Sequence, residues 1–519
     1  MKIVTLSDSV VSKISAGEVI ERPVFAVKEL IENAIDANAT VIEIHIEEAG
    51  LKRIRVQDNG DGMSKDDLEL SYLPHTTSKL LNEHELVGIK TLGFRGEALA
   101  SIAAISTLSI KTRLHNQPGG YEIIIRDGNI ESVSPIGTPP GTIIIIDNLF
   151  LNVPARKKFL KSERTEFRLI SDMIIHFALS YPHIHFVFIN NKKPVLDLPK
   201  KNTITDRIAI LLGPNTFEQL VPIKSEDGFI KISGFIGKPQ IASKQNQKQF
   251  LFVNNRHITD RMISLSVKES FGTLLPASST PLFILHLTIP PEVVDVNVHP
   301  RKEQVLFINS RQIFDAVKQA VTDTLTEHNL TFKLARFKDE NSARLGETTS
   351  YAGSLLKQTV LPWDRTENID FKTTSKYQQI HQTYIFSQTK DTIFFIDQHA
   401  AHERILYEEF AKTFTDKKKT KDNYELPKPN SIIFGISEAQ ILEEYLRYFD
   451  SLGFKIDHFQ GTNFMVRAIP VIFKGRNIEK IMRDILSDLA EDLTKSIDDR
   501  TKRMLAFLAC RAAVKAGDV

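Results

Sequence analysis

A single cysteine, Cys510, stands in a chain of 519 residues. A lone cysteine cannot close an internal disulfide, which excludes a stapled secreted scaffold and points to a reducing compartment. Excess charge of either sign is also missing: 66 Lys and Arg face 64 Asp and Glu, a net of +2. Gross charge therefore says nothing about nucleic acid, and any basic surface must be local. Aliphatic runs such as Ile143 to Ile146 fall far short of the roughly 18 apolar residues that a membrane helix needs. Met1 to Val10 carries acidic and polar residues where a signal peptide would need an apolar core. No internal repeat or low-complexity tract is found. A cytoplasmic protein that does not enter a membrane is expected.

What is present is a soluble, globular composition, 42% apolar and 25% charged. The length suits roughly three to four folded units. Alternating patterns predict strands at Val41–Glu47, Arg53–Val56, Leu108–Lys111, Thr142–Asp147 and Ile184–Ile189. Helical periodicity predicts Val24–Ala37, Glu97–Ala103, Thr165–Ser180 and Arg311–Glu327. A break at Leu198–Asn202 divides this half, giving expected segments 1–200 and 201–334. Residues 335–375 lose periodicity and read as a linker. A last folded region, 376–519, opens with paired strands at Tyr384–Ser387 and Thr392–Ile396. Helices are predicted there over Asp397–Ala411 and Ser437–Leu452. Between those two helices, Lys417–Lys421 reads as a basic, solvated loop.

Three segments carry chemistry. On the helix after Arg22-Pro23, Glu29, Asn33 and Asp36 fall at i, i+4 and i+7 and share one face. Taken alone, that face fits a solvated surface better than a site. A carboxylate and an amide one turn apart could instead serve an activated water and a cation. Asp58-Asn-Gly-Asp-Gly62 directly follows a strand. There a carboxylate can accept from an exocyclic amine, and Gly60 and Gly62 let a flat ring approach the backbone. An ordinary Asn-Gly turn is the competing reading. The calcium-loop spacing and closing Glu are absent. The third segment holds His75-Thr-Thr-Ser-Lys79 and Thr91-Leu-Gly-Phe-Arg-Gly-Glu97. Its glycines precede a helix, where free N–H groups can cradle phosphates. The Walker P-loop string is absent.

In order, Glu29…Asn33, Asp58-Asn-Gly-Asp-Gly62, Gly93-Phe-Arg-Gly-Glu97 and Gly141-Thr142 resemble the GHKL ATPase superfamily. Further strings narrow the resemblance to the MutL family of DNA mismatch-repair proteins, over nearly the whole chain. These are Ile14-Ser-Ala-Gly-Glu-Val-Ile-Glu-Arg-Pro23, Gly93-Phe-Arg-Gly-Glu-Ala-Leu99, Val153-Pro-Ala-Arg-Lys-Lys-Phe159 and Asp295-Val-Asn-Val-His-Pro300. The resemblance implies an α+β protein. A GHKL (Bergerat) α/β-sandwich ATPase domain would span 1–200, and an α/β transducer domain of ribosomal-protein-like fold 201–334. A flexible linker, 335–375, would lead to an α/β C-terminal dimerisation domain, 376–519. A gyrase-type topoisomerase subunit, a chaperone or a sensor kinase would share the ATP pocket. The Toprim cluster of the first and the phosphoaccepting His helix of the last are not found.

Carried over by position, the resemblance makes Glu29 the general base and Asn33 the Mg²⁺ ligand. Asp58, Gly60 and Gly62 would hold adenine, supported by Thr142. Thr76, Thr77, Ser78 and Lys79, with Gly93, Phe94, Arg95 and Gly96, would cover the phosphates. Lys302 would reach the γ-phosphate from the second domain. Arg256 and Arg261 would lie near a DNA groove between the first two domains, making phosphate contacts to double- and single-stranded DNA. Arg156, Lys157, Lys158, Lys161 and Arg164 add a basic segment, for which scattered surface charge is an equal reading. Implied partners are a second copy of the chain, MutS, and downstream a sliding clamp, helicase or separate nuclease. The place of work would be the bacterial cytoplasm, at the nucleoid.

Asp397-Gln-His-Ala-Ala-His-Glu403, with Glu408 beyond, matches the DQHAxxExxxxE motif of MutL proteins that have endonuclease activity. Asp397 would then be the nuclease residue, and His399, Glu403 and Cys510 would be ligands for Zn²⁺ or Mn²⁺. A helix-surface pair and a small buried thiol are the competing readings. The terminal Cys-Pro-His-Gly-Arg-Pro string of nuclease-competent relatives does not follow Gly517. The ligand set is therefore expected to be incomplete and the last domain cut short. Tyr424-Glu-Leu-Pro-Lys-Pro429 matches a clamp-binding motif poorly.

Overall fold

The computed structural model describes residues 16–17, 19–77, 91–93, 96–200, 203–242, 249–275, 279–295, 305–328, 377–380, 383–388, 393–415, 423–490, 505–506, 508–509 and 513. These fall in two compact units. One is built from residues 1–330 and 421–501, the other from 331–420 and 502–519.

In the first unit, eight strands form one mixed sheet: β1 (Val41–Glu47), β2 (Arg53–Asp58), β3 (Thr107–Arg113), β4 (Gly120–Arg126), β5 (Asn129–Ile136), β6 (Gly141–Asp147), β7 (His185–Asn190) and β8 (Lys193–Leu198). Their order is β5-β4-β3-β6-β2-β1-β7-β8, and only the β1–β7 pair is parallel. The alternation in the sequence is realised as a one-sided core. Ile42, Ile44, Ile46, Ile54, Val56, Leu108, Ile110, Ile144 and Ile146 are buried, while the residues between them stay partly exposed. Helices Pro23–Asp36, Ala98–Ile105 and Glu163–Ser180 share that core. The two edge strands, β5 and β8, carry Pro135 and Pro194 within them.

A second sheet follows, ordered β12-β11-β13-β10-β9, from β9 (Leu220–Asp227), β10 (Ile230–Gly237), β11 (Gln249–Val253), β12 (Arg256–Ile258) and β13 (Phe283–Thr288). Strand β11 shows why it sits where it does. Phe250 and Phe252 join the first core, whereas Leu251 and Val253 join a second core with helices Arg261–Phe271 and Ser310–Glu327. One strand with two apolar faces thus knits two layers. Edge strand β9 contains Pro222, and edge strand β12 has three residues.

The same unit ends in a small sheet of Asn423–Ile433, Lys455–Gln460 and Asn463–Pro470, with helices Ile436–Ser451 and Ile478–Ala490. The second unit contains a three-stranded antiparallel sheet, Tyr377–Ile380, Tyr384–Gln388 and Ile393–Asp397, followed by helix Gln398–Thr415. No helix among the described residues is long and apolar enough to cross a membrane.

Candidate nucleotide-binding site

Backbone register places three polar side chains in one row at the end of the large sheet. Asp58 on β2 pairs with Thr142 on β6, and Thr142 with Thr112 on β3. All three are buried, in a file otherwise filled by Ile and Val. Burying polar groups is tolerated where they bond to one another or to backbone. Thr112 Oγ1 donates to the Gly141 carbonyl at 3.1 Å and lies 3.2 Å from Thr142 Oγ1. It also accepts from the Met63 N–H at 2.9 Å. The Asp58 carboxylate accepts from the Gly60 N–H at 2.8 Å. Burial nevertheless dominates and pushes the Asp58 pKa up to about 6, against the opposing bonds from Gly60 and Thr142.

The turn after Asp58 is rigid. Asn59 accepts from the N–H groups of Thr40 and Val41, both at 2.8 Å, so it braces the loop. His115 Nε2 lies 2.9 Å from the Gly60 carbonyl. Gly141 has φ +107°, and a Cβ there would sit 2.2 Å from the Asp58 carbonyl. Only glycine lets β6 pass this close.

Helix Pro23–Asp36 supplies the other wall. Pro23 opens it, where a missing N–H is harmless. The preceding residue, Arg22, is tied by Nη1 to the fully buried Glu166 at 2.6 Å. Val24, Val27, Leu30, Ile31 and Ala34 are buried, while Glu29, Asn33 and Asp36 are half-buried on another face. Burial alone would lower the Lys28 pKa, but Glu32, 3.0 Å away, and Glu29 outweigh it and raise it. Asp36 has a role that spacing alone did not suggest. Its carboxylate accepts from the Leu92 and Gly93 N–H groups, each at 3.0 Å. It therefore anchors the glycine-rich loop to the helix bearing Glu29 and Asn33.

The two expected phosphate-covering segments meet. Gly96, at φ +62°, packs so tightly that a Cβ would lie 2.2 Å from the Thr76 carbonyl. Thr76 Oγ1 is within 2.8 Å of both the Leu70 and Leu73 carbonyls, and Thr77 is exposed. Ser78, Lys79, Phe94, Arg95, Lys302 and Cys510 lie outside the described residues.

The expected DNA contacts separate. Arg261 is exposed at the start of its helix, which Asp260 caps by accepting from the Ile263 N–H at 2.8 Å. Arg256 is buried, and its Nη2 donates to the Thr91 and Leu92 carbonyls at 3.2 and 3.1 Å. Arg156 turns inward to the Gly17 and Ile20 carbonyls. The string ending in Arg22-Pro23 is thereby held against the Val153–Phe159 string. Arg164 pairs with Glu444 at 2.5 Å, while Lys157, Lys158 and Lys161 remain exposed.

In the second unit, Asp397 ends its strand and accepts from the Ala400 N–H at 3.0 Å, an N-terminal cap for the helix that follows. His399 Nε2 lies 3.9 Å from Glu403 Oε2, and Glu408 pairs with Arg404 at 2.9 Å. Among the described residues no group of three His, Cys, Asp or Glu side chains could hold a metal.

Comparison with known proteins agrees with the geometry. A family model for histidine kinase-, DNA gyrase B- and HSP90-like ATPases matches residues 21–137. A model for a DNA mismatch repair protein C-terminal domain matches 208–326, and one for a MutL C-terminal dimerisation domain matches 377–519. The DNA mismatch repair protein MutL of Halothermothrix orenii is 32% identical over 100% of this chain and 93% of its own. That of Desulforudis audaxviator is 34% identical over 100% and 92%. A crystal structure of the N-terminal domain of a DNA repair protein superposes with TM-score 0.54 at 28% identity, covering 62% of this chain and 99% of that one. Likeness to a topoisomerase or chaperone would be confined to the nucleotide pocket, whereas these relatives match from end to end.

Proposed function

The chain belongs to the MutL family of DNA mismatch-repair proteins, and on that premise we propose that it is an ATP-driven dimeric clamp that couples MutS mismatch recognition to strand incision and removal. The observation that carries the reading is the row Asp58–Thr142–Thr112 beside the Glu29–Asn33–Asp36 face, with Asp36 gripping the glycine-rich loop. Asp58 accepts from the exocyclic amine of adenine, and the Thr142 hydroxyl supports that edge. The loop leads into helix Ala98–Ile105, and free N–H groups ahead of a helix can cradle phosphates. Glu29 orients and activates the attacking water. Asn33, an oxygen donor one helical turn away, suits a hard cation. Asn33 would hold the Mg²⁺, which would supply positive charge to offset that of the phosphates.

The proposed layout keeps 1–200 as the ATPase domain, 201–334 as the transducer, 335–375 as the linker and 376–519 as the dimerisation domain. ATP binding closes two copies around DNA in the cytoplasm, at the nucleoid, and hydrolysis reopens them. Arg261, with the exposed lysines after Val153, supplies sequence-independent phosphate contacts. Glu29→Ala tests the core of the proposal. Calorimetry should show retained nucleotide binding while steady-state turnover is lost; unchanged hydrolysis would defeat the assignment.

A further inference from the structure

Arg256 carries the one strong cation of the β11–β12 turn that points inward, and its base is unusually well fixed. Asn254 and Asn255 form the turn with φ of +49° and +65°. The Asn254 side chain donates to the Ile289 carbonyl at 2.8 Å and accepts from the Ile289 N–H at 3.0 Å. Its own N–H donates to the Leu287 carbonyl at 2.9 Å. Ser180, the last residue of helix Glu163–Ser180, donates to the Asn255 carbonyl. The next residue, His257, stacks on His176 of that helix with ring centroids 3.7 Å apart. Arg256 is thus aimed from a platform shared by the second sheet and the first domain's longest helix.

Its target is the root of the glycine-rich loop. Nη2 bridges the Thr91 and Leu92 carbonyls. The Leu92 and Gly93 N–H groups on the same peptides are held by Asp36. The root is therefore clamped from both sides, by a carboxylate on the helix of Glu29 and by a guanidinium on β12. Charge-assisted bonds of this kind are short-range and directional. A shift of β12 of about 1 Å is enough to break them.

We propose that Arg256 is a positioning residue for ATP turnover, setting the glycine-rich loop from the second sheet through the Thr91 and Leu92 carbonyls. This rests on the ATPase reading above. It gives Arg256 a destination other than DNA, and it makes the loop's geometry depend on where the second sheet stands relative to the Glu29 helix.

The test uses the full chain. Steady-state ATP hydrolysis is measured for wild type, Glu29→Ala, Arg256→Ala, Arg256→Lys and Arg256→Ala with Asp36→Asn, alongside binding to a random-sequence duplex across a salt series. Arg256→Ala should lower kcat about tenfold or more, the scale of losing charge-assisted bonds, with a smaller change in KM. Arg256→Lys, which keeps a cationic donor nitrogen but loses the planar fork, should recover part of kcat. The double variant should be little worse than Arg256→Ala, because both side chains act through one loop. The salt slope of DNA binding should stay at the wild-type value. Wild-type kcat in Arg256→Ala, or a reduced salt slope with normal turnover, would overturn the positioning role alone. Turnover that survives Glu29→Ala would instead overturn the ATPase assignment beneath it.

Discussion

At the scale of single residues, the burial of Asp58 links nucleotide binding to pH. Its carboxyl, lifted to about 6, must be ionised to accept from an adenine amine. Affinity for ATP should therefore be flat above pH 7 and fall as pH drops through 6, about tenfold per unit below it. Calorimetric titrations between pH 5 and 8 check this, and Asp58→Asn should remove the dependence together with the affinity. The same shift acts on stability with the opposite sense from a salt bridge. The folded pKa lies above the unfolded value, so the penalty is fully present above about 6 and absent below the ordinary carboxylate range. Nucleotide-free Asp58→Asn should thus be more stable at pH 7, by on the order of 3 kcal/mol, and melt higher. An unchanged melting curve would count against the burial. Asp58 was legible in the sequence because a strand end and two glycines bracket it. Arg256 was legible only as a charge, since nothing in Asn254-Asn-Arg-His tells which side of a three-residue strand faces inward. Arg207 gave no signal at all. It is wholly buried, its guanidinium bonded to the Leu198, Pro182 and Ile184 carbonyls at 2.8–2.9 Å. A single Lys nitrogen cannot reproduce that fork, and Arg207→Lys should lower the melting temperature by an amount equivalent to roughly 1–3 kcal/mol.

At the scale of elements, alternation and helical periodicity were reliable guides wherever one face is buried. The expected helix Thr165–Ser180 forms over Glu163–Ser180, and Arg53–Val56 extends to Asp58. Strand Asn423–Ile433 was missed because Pro427 and Pro429 interrupt it. The ladder accommodates them by a register shift between Glu425 and Asn430. Contacts between elements were the least visible in the sequence. His176 and His257 come from segments far apart in the chain, yet stack in the wall of a cleft of about 670 Å³, which is also lined by Asp172, Arg168, Ile436 and Leu486. Desolvation first, and then His257, hold His176 well below the usual histidine value. Desolvation and Lys28 lower His257 to about 4. Both rings are neutral at pH 7. Between about 6.5 and 4 the unfolded chain binds protons that the folded pair resists, so stability should fall as pH drops through that window. His257→Phe should flatten this part of a melting-temperature against pH profile. A profile as steep as that of wild type would show that other groups set the acid limit.

At the scale of the whole molecule, open sheet edges pose a hazard. A protein that works as a pair must let copies meet at one place and nowhere else. An unpaired strand edge offers N–H and C=O groups to any neighbour, including the edge of another copy. Proline removes a donor from that row. Pro135 in β5, Pro194 in β8 and Pro222 in β9 occupy three of the four edges of the two large sheets, and the fourth edge, β12, is only three residues long. Joint Pro135→Val and Pro194→Val substitutions should leave turnover intact while raising concentration-dependent light scattering well above that of wild type. The three prolines thus amount to a solubility safeguard, by which a chain rich in β-structure can gather at a repair site without its sheets fusing edge to edge.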